Sequence, residues 1–223
     1  MGQTGTIDRE RLAELLAEYQ ERREVIEARL AEFRRVWEQG SDEEIFAELA
    51  FCLFTPQSKA KSCWGAVQSL CAEGLLYCAE PEVLAQHLCT RVRFHHTKAR
   101  NVAAVRELLT RDGKLRLREK LASFADAREA REWLVGNVKG LGYKEASHFL
   151  RNIGWGEELA ILDRHILRNL AALGVIDEVP TSLSRRKYLE IEEALLGFCK
   201  EVGLRPDIFD MVLWARQTGE VFK

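Results

Sequence analysis

A lysine two residues beyond a Gly-x-Gly turn is the feature of this chain that points most directly to chemistry. Val138-Lys-Gly-Leu-Gly-Tyr-Lys144-Glu-Ala146 sets Gly140 and Gly142 one residue apart between two helical patterns. Glycines there admit backbone angles closed to other residues and let another molecule approach closely. A helix starting near Lys144 turns its unbonded first-turn amides toward the hairpin, and a phosphate is the natural ligand of such a start. The dipole of that helix, with partial burial, disfavours an ammonium in the first turn, so the pKa of Lys144 is expected to fall. A neutral lysine amine can attack a sugar carbon and form a Schiff base with a carbonyl. A solvated or phosphate-contacting lysine fits the same spacing.

Asp163 is the second candidate. It follows the apolar run Leu159-Ala-Ile-Leu162 and precedes Arg164-His-Ile-Leu-Arg168, which places it at a helix start. An ordinary N-cap explains such an aspartate. The same position keeps a carboxylate ionised even when partly buried, and an ionised group could stabilise positive charge developing on a sugar as its base departs. His165 and Arg168 share the short helix that follows, where both could reach phosphates.

The elements that must hold these groups are helical from end to end. Between Ile7 and Glu38, Leu12, Leu15, Leu16, Tyr19, Ile26, Leu30, Phe33 and Trp37 recur mainly at three- and four-residue steps, as one long amphipathic helix or two consecutive ones. Gly40 ends that pattern, and Ser41-Asp-Glu-Glu44 reads as a capping box opening the next helix. Further helices are expected around 43–54, 58–73, 81–89, 97–111, 115–122, 126–138, 144–153, 164–173, 183–202 and 206–217. Strand signals are scarce, because β-branched residues never alternate for long. The fold class is all-α.

The 223 residues, 47% hydrophobic and 30% charged, describe an ordinary globular protein with a substantial core. No apolar run approaches the roughly 20 residues that span a bilayer, and the N-terminus lacks the layout of a secretory signal. A soluble cytoplasmic protein is therefore expected, nucleoid-associated if prokaryotic, with no membrane partner. The net charge of −2 gives no general attraction to nucleic acid, so any footprint must be local. Basic residues cluster at Arg91, Arg93, His95, His96, Lys98 and Arg100, and again at Arg164, His165 and Arg168; solvated helix faces account for such clusters equally well. None of the six cysteines forms a C-x-x-C pair, which argues against zinc. Cys63, Cys71 and Cys78, at near-helical spacing among apolar residues, read as small buried hydrophobes.

Taken together, Gly140-Leu-Gly142-Tyr-Lys144 and Asp163-Arg-His165-Ile-Leu-Arg168 resemble the signature of the helix-hairpin-helix DNA glycosylase superfamily. The combination is far more specific than either half. The resemblance implies that Lys144 is the nucleophile and Schiff-base former and Asp163 the essential carboxylate. It also implies that the hairpin binds a backbone phosphate, usually with a monovalent cation held by its carbonyls. Leu53-Phe-Thr-Pro-Gln57-Ser resembles the superfamily's loop that carries a glutamine into the duplex, where Gln57 would help fill the gap left by an extruded nucleotide. A surface-loop glutamine is the plain alternative. The implied fold is two-lobed with the active site in the cleft between lobes. Residues 1–40 and 156–223 would form one lobe, and 41–155 the other, with the helix-hairpin-helix motif at about 128–153.

Endonuclease III relatives usually carry four closely spaced cysteines near the C-terminus for an iron–sulfur cluster. Only Cys199 lies there, so no cluster is expected and no cofactor is required. The Val92-Arg-Phe94 segment and the ending from Asp210 to Lys223 resemble the compact archaeal-type branch of 8-oxoguanine DNA glycosylase/AP lyases. Asp210 and Trp214 are four apart and so share a helix face. The carboxylate could accept from a guanine's N1 and exocyclic amine while the indole stacks on the ring. A surface acid beside a core tryptophan is the plain alternative. By the same resemblance Phe94 supplies the opposing face and Lys223 lines the base pocket; the apolar tail before it suggests docking rather than fraying.

The expectation is a monomeric, bifunctional enzyme of base-excision repair acting on double-stranded DNA with damaged bases or abasic sites. It would excise 8-oxoguanine through Lys144 and nick the strand by β-elimination. Its competitors are a related glycosylase for oxidised pyrimidines and a non-catalytic helix-hairpin-helix DNA-binding module.

Overall fold

The computed structural model describes residues 7–223. Its helices are α1 (Arg9–Gln39), α2 (Asp42–Phe54), α3 (Ala60–Ala72), α4 (Leu75–Cys78), α5 (Pro81–Leu88), α6 (His95–Leu109), α7 (Leu117–Ala122), α8 (Ala127–Asn137), α9 (Tyr143–Asn152), α10 (Arg164–Ala172), α11 (Arg185–Val202) and α12 (Pro206–Thr218). Between α6 and α7 lies a two-residue-per-strand hairpin, β1 (Thr110–Arg111) with β2 (Lys114–Leu115), which turns through Asp112 and Gly113. The all-α expectation holds. That hairpin and the single turn α4 are additions, both too short to carry a periodicity.

The chain divides into two compact units, Arg34–Trp155 and Met1–Phe33 with Gly156–Lys223. The first division falls inside α1 rather than at the Gly40 break.

The unit Arg34–Trp155 is built around α2, whose every residue from Ile45 to Phe54 is buried. A helix apolar all round must be covered all round, and α3, α6, α7 and α9 pack against it. The capping box at its start is present, with Glu44 N donating to Ser41 Oγ and Ser41 N to Glu44 Oε2. Arg118 of α7 fastens the end of α1. Its guanidinium donates to the carbonyls of Val36 (3.1 Å), Gly40 (2.6 Å) and Trp37, and lies 4.9 Å from the Trp37 ring centroid. Trp37 in turn stacks on Trp155 at 5.0 Å. A cation at a helix C-terminus meets both the orphan carbonyls and the negative end of the dipole.

The other unit combines the first part of α1 with α10, α11 and α12. Leu15, Tyr19, Ile26, Leu30 and Phe33 of α1 are buried, as are Ile166, Leu167 and Leu170 of α10. Asp8 N donates to Leu173 O at 3.1 Å, and Arg216 Nε to Glu18 at 2.8 Å, so both ends of α1's early segment are tied to the later chain.

Of the cysteines, Cys52, Cys63 and Cys199 are buried, Cys71 is half-buried, and Cys78 and Cys89 are exposed. The buried-hydrophobe reading therefore holds for Cys63 and fails for Cys78, which sits on the one-turn α4 at the surface. Among the described residues no helix is long and apolar enough to cross a membrane.

Candidate active site on two helix starts

Helix α8 ends at Val138, and the chain reverses through Gly140 and Gly142 into α9. Gly140 has φ +89°, and a Cβ there would lie 2.3 Å from the Asn101 side-chain nitrogen. The left-handed backbone angle is what favours glycine, and a Cβ would also displace the tip of the Asn101 side chain of α6. Gly142 is the N-cap of α9, and no side chain caps the helix. The open helix start expected from the sequence is present.

Behind the hairpin, α9 is held by polar groups. Ser147, His148, Arg151 and Asn152 are all buried. Arg131 of α8, 1% exposed, donates to Ser147 Oγ at 3.1 Å and lies 5.3 Å from the Tyr143 ring centroid. Asn152 donates to the buried Glu48 at 3.1 Å. Hydrogen bonds to charged groups in low dielectric are strong and directional, so they fix the roll of α9 about its axis and with it the direction of its first turn.

Lys144 stands in that first turn with its side chain 27% exposed. Its Nζ lies 3.0 Å from Glu145 Oε1. The lysine is thus an accessible member of an ion pair with its own neighbour, not an isolated amine.

Gln57 and Phe94 project from loops of the same unit and both are exposed, Phe94 to 56%. Both hold left-handed backbone, with φ 57° and 55°; Asp112 is the other non-glycine among the described residues to do so. Such conformations cost on the order of 1 kcal/mol or more and persist where surroundings over-determine them. Ser58 Oγ accepts from Arg93 N at 3.0 Å, which joins the two loops. The Arg93 guanidinium lies 5.6 Å from the Phe94 ring centroid. Of the basic cluster, Arg91, Arg93, His96 and Arg100 are exposed, whereas Lys98 is buried and belongs to no surface.

In the other unit, Asp163 caps α10 by accepting from Ile166 N at 2.8 Å. It is half-buried, with a second oxygen not used in the cap. The extended run before it is buried and pinned by α11. Tyr188 OH donates to Ala160 O at 2.7 Å, and Ala160 N donates to the fully buried Glu192 at 2.8 Å. Arg168 is exposed. His165 Nε2 donates to Leu213 O at 2.8 Å, which ties α10 to α12. Asp210 and Trp214 are both half-buried on α12, and the Trp214 Nε1 donor is buried with no hydrogen-bond partner. Lys223 is 8% exposed, its ammonium 5.7 Å from the Phe33 ring centroid, so the tail is docked.

The structure therefore brings Gly140, Gly142, Lys144, Gln57 and Phe94 into one unit, and Asp163, His165, Arg168, Asp210, Trp214 and Lys223 into the other. Sequence reasoning placed Lys98 in a surface cluster and missed Arg131, Tyr188 and Glu192. Among the described residues no cluster of His, Cys, Asp or Glu is arranged to hold a metal ion.

A glycine hairpin opening a lysine-bearing helix, in an all-helical chain with a second aspartate-capped helix, defines the helix-hairpin-helix class. Comparison with known proteins narrows it: residues 26–204 match the family model of the helix-hairpin-helix 8-oxoguanine DNA glycosylases, and the chain belongs to that family. It is 44% identical over 205 residues to the 8-oxoguanine DNA glycosylase/AP lyase of Fusobacterium nucleatum, covering 92% of this chain and 94% of that one. The crystal structure of the 8-oxoguanine DNA glycosylase of Thermotoga maritima superposes with a TM-score of 0.84 at 38% identity, covering 95% of this chain and 98% of that one. The 8-oxoguanine glycosylase/lyase of Methanocaldococcus jannaschii, solved with a 15mer DNA containing 8-oxoguanine, gives 0.83 at 36% identity, covering 94% and 99%.

Proposed function

We propose that this protein is a bifunctional 8-oxoguanine DNA glycosylase/AP lyase of base-excision repair. The observation that carries the reading is the position of Lys144. It stands, accessible, in the first turn of an uncapped helix directly after the glycine hairpin, in a chain of this family. Double-stranded DNA is the partner: the hairpin binds a backbone phosphate, and Arg168, exposed on α10, is a separate candidate for phosphate contact.

The hairpin can hold a phosphate because α9 starts without a side-chain cap and the glycines leave no side chain in the way. A monovalent cation held by the hairpin carbonyls would be compatible with that phosphate, and the chemistry proposed here needs no cofactor. Gln57 enters the duplex as the damaged nucleotide leaves the stack. Phe94 and Trp214 offer aromatic faces to the base, Asp210 a carboxylate for its N1 and exocyclic amine, and Lys223 closes the pocket.

The bond from C1′ to the base breaks with its electron pair leaving on the base. Asp163, ionised at its helix start, stabilises the positive charge that develops on the sugar. Lys144, released from Glu145 and deprotonated, gives its lone pair to C1′. Ring opening passes the electron pair of the C1′–O4′ bond to O4′, which takes a proton, and leaves a protonated Schiff base. That group acidifies the C2′ proton, whose loss expels the 3′ phosphate and nicks the strand.

Borohydride trapping on duplexes carrying 8-oxoguanine, an oxidised pyrimidine or an abasic site tests the reading. A covalent adduct with 8-oxoguanine and abasic duplexes is expected. An adduct with oxidised pyrimidine alone assigns the substrate elsewhere, and binding without any adduct makes the chain a silent DNA-binding module.

A further inference from the structure

Lys98 is a buried cation that this chemistry leaves unused. It sits on α6 at 5% exposure, and its ammonium donates to Phe54 O at 2.6 Å, Pro56 O at 2.8 Å and Ser58 Oγ at 2.9 Å. Those three bonds use all three of its protons. Every acceptor belongs to the turn that carries Gln57. The Ser58 hydroxyl that accepts from Lys98 also accepts from Arg93 N, the amide immediately before Phe94. One turn further along α6, Asn101 presses on Gly140 of the hairpin.

A desolvated ammonium is a poor device for stability alone. Its burial costs several kcal/mol before any bond is made, and an apolar side chain of similar volume would often serve the core as well. Burial also pulls the Lys98 pKa below the usual lysine value, with the nearby Arg93 charge acting in the same direction and Cys63 opposing it. What an ammonium does that methionine cannot is converge three oxygens on one point. Here it draws two backbone carbonyls and a hydroxyl inward, and the residue between them, Gln57, is turned outward with φ 57°. Phe94, at φ 55°, is tied to the same node through Arg93.

We propose that Lys98 is a positioning residue for lesion recognition, its ammonium locking the Phe54–Ser58 turn and, through Ser58, the Arg93–Phe94 backbone, so that Gln57 and Phe94 are presented to the DNA in a fixed geometry. The proposal rests on the glycosylase reading above, and it differs from that reading in what it requires. Lys98 touches no reacting atom. Its loss acts through Gln57 and Phe94 and leaves the chemistry of Lys144 intact.

The test is a double-mutant cycle of Lys98→Met, Gln57→Ala and the pair, read by single-turnover excision of 8-oxoguanine and by cleavage of a pre-formed abasic site. Each single variant is expected to slow excision about tenfold, the loss typical of a charged hydrogen-bond node. The loss in the pair should fall well short of the product of the two single losses, because part of what Lys98 does passes through Gln57. For Lys98→Met, cleavage of a pre-formed abasic site, which offers no base to Phe94, should fall at least about threefold less than excision does. Multiplying losses in the cycle, or equal loss on both substrates, overturns the proposal. If Lys98→Met does not fold, Ser58→Ala removes the shared node alone. It should show the same substrate split at smaller size, and wild-type excision by that variant overturns the proposal. Amide hydrogen exchange reads the same node without any reaction. The Ser58 and Arg93 amides should exchange about tenfold faster in Lys98→Met or Ser58→Ala than in wild type, and unchanged exchange also overturns it. Should the wild type excise no 8-oxoguanine, the glycosylase reading fails while the exchange result still decides whether Lys98 sets these loops.

Discussion

Lys144 Nζ and Glu145 Oε1 stand 3.0 Å apart on consecutive residues of the first turn of α9. In the proposed mechanism this contact must open before the lysine can act. Lys144→Gln keeps a polar chain of similar length there but has no nucleophilic amine. Borohydride trapping on 8-oxoguanine duplex is expected to vanish, while the melting temperature stays within about 2 °C of wild type, as for other surface changes. A trapped adduct at wild-type yield would move the nucleophile to another residue.

The proposed mechanism asks two separable things of Asp163. As N-cap it accepts from Ile166 N at 2.8 Å, and asparagine serves that role about as well. As an ionised group it has no neutral substitute. Asp163→Asn should therefore keep its stability yet lose about a hundredfold or more in single-turnover excision. Asp163→Ala should lose the activity and about 1 kcal/mol of stability besides, measured by urea unfolding. Excision near wild type in the asparagine variant removes Asp163 from the mechanism.

At Gly140 the backbone and the space agree. Alanine would meet both the left-handed φ of +89° and the Asn101 side chain. Gly140→Ala should destabilise by on the order of 1–3 kcal/mol and weaken binding to abasic-analogue duplex. Adding Asn101→Ala removes the collision but not the strain, so urea unfolding of the double variant should recover only part of the loss.

The cysteines offer a check on burial that involves no DNA. Desolvation pushes the Cys63 thiol up to about 11 and that of Cys199 up to about 12, so neither supplies thiolate near neutrality. With iodoacetamide at about pH 8, peptide mapping should find Cys78 and Cys89 modified in the folded protein. Cys52, Cys63 and Cys199 should react only after denaturation. Early alkylation of Cys63 would show that the α2–α3 packing opens readily.

The helices were legible because their apolar residues recur with helical spacing, and the boundaries from α5 to α12 fall within a few residues of those read from the sequence. The candidate site was legible where residue type and chain position coincide, as at Gly140, Lys144 and Asp163. What stayed hidden was polar residues doing interior work. Lys98 lies on the same stripe of α6 as Val102, Val105 and Leu109, and Glu192 on the stripe of Tyr188, Leu195 and Cys199. A charge on an apolar stripe is the one signal they carry, and it does not reveal which backbone oxygen or amide the group will meet. His165 shows the converse. Its motif marks it for DNA, but its Nε2 also serves the Leu213 carbonyl, a partner distant in sequence that no local pattern could disclose.

One unit draws on both early and late parts of the chain, with α1 tied to residues that follow Gly156. During synthesis the stripe of Leu15, Tyr19, Ile26 and Leu30 therefore leaves the ribosome long before the helices that share its unit exist. The intervening unit can condense as it emerges, while that stripe must wait, sticky and uncovered, until the segment after Gly156 has been made. Nascent chains stalled before Asp163 would thus be ready clients for chaperones and for proteolysis.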